Sequence, residues 1–182
     1  MSILLNVLEY MPVNIKIQKA DIINIIYAAT AIFISIIVIF AYESANEKTI
    51  AVMLTPHAKL TEIFYNINLT YVENVGYLGS NTAFIIAKNC FGVYFMAMLF
   101  CMFVCGFVKQ FCGIKKLYWF GLSFIVAVVV GVLVSCIRII GSIPFVSLEK
   151  FSTLHTGIGA VLYLLTLVAG YAILKKCLRR QE

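Results

Sequence analysis

Four stretches without Lys, Arg, Asp or Glu dominate this chain: Ile22–Tyr42, Asn89–Val108, Leu117–Ile137 and Phe151–Leu174. A helix rises about 1.5 Å per residue and the hydrocarbon core of a bilayer is about 30 Å thick, so roughly 20 residues suffice to cross it. Each stretch therefore predicts a transmembrane helix. Composition agrees: 63% of the 182 residues are hydrophobic and 12% are charged, with a mean hydropathy of +1.01. A soluble domain carries about a quarter charged residues. A water-soluble enzyme and a disordered tail are both excluded, because too few charges remain to cover a wet surface. Ile22–Tyr42 is too long for a signal-peptide core, and no small-x-small cleavage site follows it.

The net charge of +6 does not indicate nucleic acid, because the basic residues flank the apolar runs. With the N-terminus inside, the cytoplasmic segments hold nine Lys/Arg against three acids, including Lys16, Lys109, Lys115 and Arg180. The outer segments hold five against five. This bias predicts that both termini are cytoplasmic. Residues 43–88 then lie outside, as part of a single membrane domain over 1–182. Within them, Thr49–Asn66 carries apolar residues at helical spacing but is interrupted by Pro56. It predicts a broken, interfacial or re-entrant helix pair, with a deeper embedding and six crossings as the competing topology. Thr70–Leu78 and Thr82–Ala87, rich in aromatic and β-branched residues, flank Gly79-Ser80-Asn81 and predict a small extracytoplasmic hairpin. The fold class is an all-α polytopic membrane protein with these additions.

Three reactive side chains sit at helix ends. Cys90 opens the second span, Arg138 closes the third and His155 opens the fourth. Topology alone brings all three to the outer face. A helix N-terminus and Lys88 favour a thiolate at Cys90. His155, with Ser152 or Thr153 as N-cap, is expected to stay neutral and available as a base. Arg138 is costly near hydrocarbon unless paired or solvated. Together they suit acyl transfer: a thiolate attacks, an imidazole moves the proton, a guanidinium stabilises the oxyanion. His57, after Pro56, is expected at the surface. Cys101 and Cys105 share a helix face but lack further ligands, so core packing is expected. No zinc-type Cys/His spacing is present, and neither metal nor cofactor is expected.

At these residues the sequence resembles the exosortase/archaeosortase family, most closely its short exosortase K branch. The resemblance rests on Ile86-Ala-Lys-Asn-Cys90-Phe-Gly-Val-Tyr-Phe95, Ser135-Cys-Ile-Arg138-Ile and Leu154-His155-Thr-Gly-Ile-Gly159, with Tyr71-Val-Glu73 and Gly76-Tyr77 ahead of them. Order and spacing match over nearly the whole chain. Two positions depart: Phe91 stands where a small residue often follows the Cys, and Ser135 where Asn is common. The resemblance implies a cysteine protease or transpeptidase of a prokaryotic plasma membrane. Its substrates would be secreted proteins with a C-terminal recognition motif, a transmembrane helix and a basic tail. The acyl group would pass through a Cys90 thioester to an unknown acceptor.

Asn89, Gly92, Ser135 and Glu73 are the expected supporting residues, Glu73 by pairing with Arg138 or orienting His155. The hairpin would wall the pocket, and an exposed strand would bind the motif by β-addition. Two other classes compete: a small transporter or channel subunit using Arg138 as an anion site, and a non-catalytic assembly factor for surface proteins.

Overall fold

The structure, a computed structural model, describes residues 19–79, 84–147 and 151–179. In chain order it comprises α1 (Lys19–Glu43), α2 (Glu47–Tyr65), β1 (Leu69–Val72), β2 (Gly76–Gly79), β3 (Ile85–Ile86), α3 (Val93–Phe107), α4 (Ile114–Ser142) and α5 (Phe151–Arg179). Short 3-10 turns at Lys88–Cys90 and Val108–Gln110 extend α3 at both ends, and one at Ile143–Phe145 follows α4. Four segments are long and apolar enough to cross a membrane: Asp21–Glu43, Lys88–Gln110, Ile114–Phe145 and Phe151–Arg179. The chain is an all-α polytopic membrane protein, and each expected span lies within one of these segments.

The central helix is α3. Phe95, Leu99, Phe100, Phe103 and Val104 are buried among Ala31 of α1 and Ala127 of α4. Small residues let the helices approach closely, as they do where lipid supplies no hydrophobic drive to association. A Cβ at Gly131 of α4 would lie 2.2 Å from Met96 Cγ. Helix α5 is held more sparsely. Gly159 is its one buried residue among those described. Its aromatic anchors are Tyr163, stacked 4.1 Å from Phe95, and Tyr171, 5.4 Å from Phe107.

The segment expected to be a broken pair is one continuous helix, α2, with Pro56 inside it. Proline removes one helical hydrogen bond. Here packing outweighs that loss, because Leu54 and Ala58 on either side are buried against Ile139 of α4. Both Thr55 Oγ1 (2.8 Å) and Tyr77 Oη (3.2 Å) also donate to the Ala51 carbonyl just before the proline. The ends are well defined. Asn46 caps the first turn by accepting from Thr49 N at 2.9 Å, and Asn66 closes the last in the left-handed region at φ 52°. Tyr65 Oη pins that end to the Ile140 carbonyl at 2.7 Å. A single helix of this length cannot cross twice, so the six-crossing topology is removed. Its outer face leaves Val52, Ile63 and Phe64 at 72%, 77% and 69% exposure, the pattern of a helix lying in a membrane interface.

The expected hairpin is a three-stranded antiparallel meander, β1-β2-β3. The predicted strand over 70–78 is two strands, because the chain turns at Glu73-Asn74-Val75. Val72 pairs with Gly76, Asn74 takes φ 61° and Gly76 φ 118°. A Cβ at Gly76 would lie 2.3 Å from the Ile86 carbonyl oxygen, so only glycine fits. The second half of the expectation holds in part, since Tyr77 and Leu78 pair with Ile86 and Ile85. Ser80 and Asn81 of the expected turn lie outside the described residues, as do Lys16 and Arg180.

Candidate active site

The last turns of α4 and the first turns of α5 meet through two polar rows. On α4, Ser135, Arg138 and Ser142 recur at helical spacing and all three are buried. On α5, His155, Gly159 and Tyr163 lie one turn apart each. The rows pair in antiparallel order. His155 Nδ1 lies 2.9 Å from Ser142 Oγ, a Cβ at Gly159 would lie 2.7 Å from Arg138 Cδ, and Tyr163 Oη lies 3.3 Å from Ser135 Oγ. Gly159 is thus the notch into which the Arg138 stem fits.

The tautomer of His155 follows from its partner. Ser142 Oγ donates its single proton to the Ile139 carbonyl at 2.9 Å. Toward His155 it can therefore only accept, which places the imidazole proton on Nδ1 and leaves the lone pair on Nε2. A base presented in this way suits a proton shuttle.

Arg138 is 9% exposed and has no carboxylate partner among the described residues. Its Nη2 donates to the Cys90 carbonyl at 3.2 Å and reaches the Asn89 carbonyl at 3.5 Å. The guanidinium carbon stands 5.3 Å from the centre of the Tyr163 ring, a cation–π contact. Its Nε has no partner among the described residues. A buried cation satisfied only by carbonyls and a ring keeps its charge available for an anion that forms beside it.

Cys90 stands slightly apart from the helix expected to carry it. It closes the Lys88–Cys90 turn, and α3 begins only at Val93. The reason is Gly92, the N-cap of α3, at φ 78°. A Cβ there would lie 2.3 Å from Ser135 Oγ and 3.0 Å from Tyr163 Oη. Gly92 thus seats the Cys90 turn on the α4–α5 seam. All six cysteines are free. Lys88 is engaged elsewhere, with Nζ 2.6 Å from the Glu43 carbonyl and 3.1 Å from its carboxylate.

Several expectations need correction. Arg138 does not end α4, which runs one further turn to Ser142; that extra turn carries the partner of His155. Ser152 and Thr153 lie within the first turn of α5 rather than capping it. Glu73 is exposed in the β1–β2 turn and makes no ion pair or hydrogen bond among the described residues. Ser142 and the Cys90 carbonyl hold the places proposed for it. His57 is not at the surface. It is 0% exposed, its ring lies 5.6 Å from Phe91, and both nitrogens lack partners among the described residues.

Sequence reasoning missed Ser142, Tyr163 and the burial of His57. The signal was present for each: His57 falls in register with Ile50, Leu54, Ala58 and Thr61 on the buried face of α2.

Burial, and then the nearby Arg138 charge, push the His57 pKa from 6.5 down to about 4. Protons therefore bind the unfolded chain more readily than the folded one between these values. Stability from His57 is complete above about pH 6.5 and falls toward pH 4, by up to about 3 kcal/mol. Thermal unfolding in detergent across this range checks it. His57→Leu should flatten the dependence, and an unchanged slope in that variant would refute the assignment.

Comparison with known protein families, with curated proteins and with solved structures returns no match.

Proposed function

We propose that the chain is a membrane-embedded cysteine protease or transpeptidase of the exosortase kind. Cys90 is its nucleophile, His155 its general base and acid, and Arg138 its oxyanion stabiliser. The observation that carries this reading is the Arg138 guanidinium. It is buried, has no counter-anion among the described residues and is bonded to the carbonyl of Cys90. One turn further along α4, Ser142 fixes the His155 tautomer.

The chemistry balances with these groups alone. The Cys90 thiol gives its proton to His155 Nε2, and Sγ attacks the scissile carbonyl. Arg138 stabilises the oxyanion. When the C–N bond breaks, His155 returns the proton to the departing amine and a thioester remains. Water or an acceptor amine then attacks the thioester, and its proton passes through His155 to the Cys90 thiolate. The substrates are secreted proteins with a C-terminal motif, a transmembrane helix and a basic tail. The setting is a prokaryotic plasma membrane with both termini cytoplasmic and the site outside, as the Lys/Arg bias favours.

The span polar groups do not favour a transporter. Asn24 accepts from Lys116, Ser35 meets Cys101, and Thr30 and Thr166 bond to carbonyls of their own helices. Asn24 and Ser35 bond across helix seams and Thr30 and Thr166 within their own helices, so these four are engaged rather than free to line a path; Ser123 Oγ is buried without a partner among the described residues.

Intact-mass analysis of host surface proteins tests the proposal. With Cys90→Ala, a protein with a hydrophobic C-terminal tail should retain that tail, whereas the wild type removes it. An unchanged surface proteome with a folded variant and an expressed substrate would sink the reading.

A further inference from the structure

Beyond the Tyr163–Ser135 contact, toward the C-terminus of α5, an apolar groove of about 550 Å³ opens between α4 and α5. Leu99 and Phe103 of α3 floor it, Ser123 and Val126 line it from α4, and Leu165 and Gly170 from α5. Along α5 it runs from Leu162 to Leu174, about 18 Å at 1.5 Å per residue. That is close to the depth of one leaflet, half of a core about 30 Å thick. Leu165 and Ile173 at its rim are 59% and 61% exposed, so the groove is open to lipid. An α-helix with its side chains is about 10–12 Å across and over this length would need about 1,400 Å³ or more. The groove is too small to enclose a helix and suits one hydrocarbon chain.

Three polar side chains line it. Trp119 Nε1 donates to the Phe103 carbonyl at 3.1 Å, and Thr166 Oγ1 to the Leu162 carbonyl at 2.8 Å. Ser123 differs. It is 2% exposed, and its Oγ has no partner among the described residues. A buried hydroxyl without an acceptor costs free energy that a ligand carbonyl would recover. The register set by Ser142 on His155 and Arg138 on Gly159, carried along the seam, puts Ser123 level with Leu174, where the groove ends on α5.

Cations continue both walls from that end. On α4, Lys115 lies one turn before Trp119, on the row that carries Ser123 and Val126. On α5, Lys176 follows Ala169 and Ile173 at helical spacing, and Arg179 stands one turn further on. All three are exposed, and none makes an ion pair among the described residues. The helix C-terminus and the inside bias of Lys and Arg account for cations at this end. They do not account for a leaflet-deep groove that leads up to them, or for an unpartnered hydroxyl where the two meet.

We propose that this groove binds an anionic glycerophospholipid from the leaflet at which α5 ends. The phosphate lies between Lys115 and Lys176, an ester carbonyl accepts from Ser123 Oγ, and one acyl chain fills the groove. Basic pockets between membrane helices suit such headgroups, at about 1 kcal/mol per Lys or Arg. The site is independent of the chemistry proposed at Cys90.

Native mass spectrometry of the delipidated full chain, titrated with dioleoyl phosphatidylglycerol or dioleoyl phosphatidylcholine, tests it. The wild type should retain one phosphatidylglycerol at least about tenfold more tightly than phosphatidylcholine. Lys115→Gln with Lys176→Gln should remove that preference, since glutamine keeps the length of the side chain without its charge. Ala169→Phe, at an exposed position on the groove wall, should fill the groove and abolish retention of both lipids. Ser123→Ala should weaken the ester lipid about threefold and leave an ether-linked phosphatidylglycerol unchanged, the size of one interhelical-type hydrogen bond in a membrane. Circular dichroism confirms that each variant is folded.

Equal retention of the two lipids by the wild type, or phosphatidylglycerol binding unmoved by Ala169→Phe, overturns the proposal. So does a dimer that Ala169→Phe dissolves, which would give the groove to a second copy of the chain. Ether and ester lipids bound equally by the wild type would overturn the carbonyl contact at Ser123.

Discussion

Arg138→Lys should lower the rate of the proposed acyl-enzyme formation by about two to three orders of magnitude, the size expected when a transition-state donor is lost. The argument is geometric. The guanidinium reaches past the Gly159 notch to the Cys90 carbonyl while lying against the Tyr163 ring. An ammonium is a compact, strongly hydrated charge without the planar fork, so it does not reproduce the fixed donor directions and ring stacking of the guanidinium. The variant also leaves a hydrated cation in a buried seam, so helicity and unfolding temperature must be read alongside the rate. Single-turnover acylation of the purified protein checks the prediction. A folded Arg138→Lys protein that acylates at the wild-type rate would remove Arg138 from the mechanism.

Gly92→Ala is the second large effect, expected to destabilise the protein by about 2–3 kcal/mol. Two costs combine. Alanine at φ 78° is strained, and its Cβ would lie 2.3 Å from Ser135 Oγ. Ser135 is fully buried and meets Tyr163 Oη, so it has little room to yield. Relief requires the Cys90 turn to lift from the α4–α5 seam. Acylation should therefore fall further than the loss of folded protein explains. Unfolding in detergent, with the single-turnover rate corrected for the folded fraction, measures both. Wild-type stability in this variant would contradict the glycine requirement.

Much of the architecture was legible because lipid imposes a simple rule: a charge-free stretch of about 20 residues has few alternatives to a spanning helix. That the Cys90 turn, Arg138 and the start of α5 lie at one end of the bundle follows from the alternation of those spans, and Arg138 meets both the Cys90 carbonyl and Gly159. What could not be read depended on contacts between distant segments. Pro56 signals a break in any local reading, yet Leu54, Ala58 and Tyr77 keep α2 continuous through it. The turn at Asn74 lacked a strong local signal, since Val-Glu-Asn-Val reads as strand until Gly76 is seen to need its backbone close to Ile86. Ser142 lies beyond the expected end of the third span at Arg138, and only the register of α4 against α5 makes it the partner of His155. His57 follows a proline that locally signals a helix end, and only the continuity of α2 through Pro56 places it on the buried face.

The sparse anchoring of α5 has a consequence for how this protein must be handled. His155 is carried by a helix with one buried residue among those described, tied by the Gly159 notch, the Tyr163 contacts with Phe95, Ser135 and Arg138, the tilted Tyr171–Phe107 pair and Ser142. Lateral pressure from the surrounding acyl chains therefore helps to keep the imidazole in place. Stripping native lipid should therefore let α5 shift against Ser142 while every helix remains intact. The expected result is a delipidated sample with full circular dichroism that has lost the proposed acylation activity.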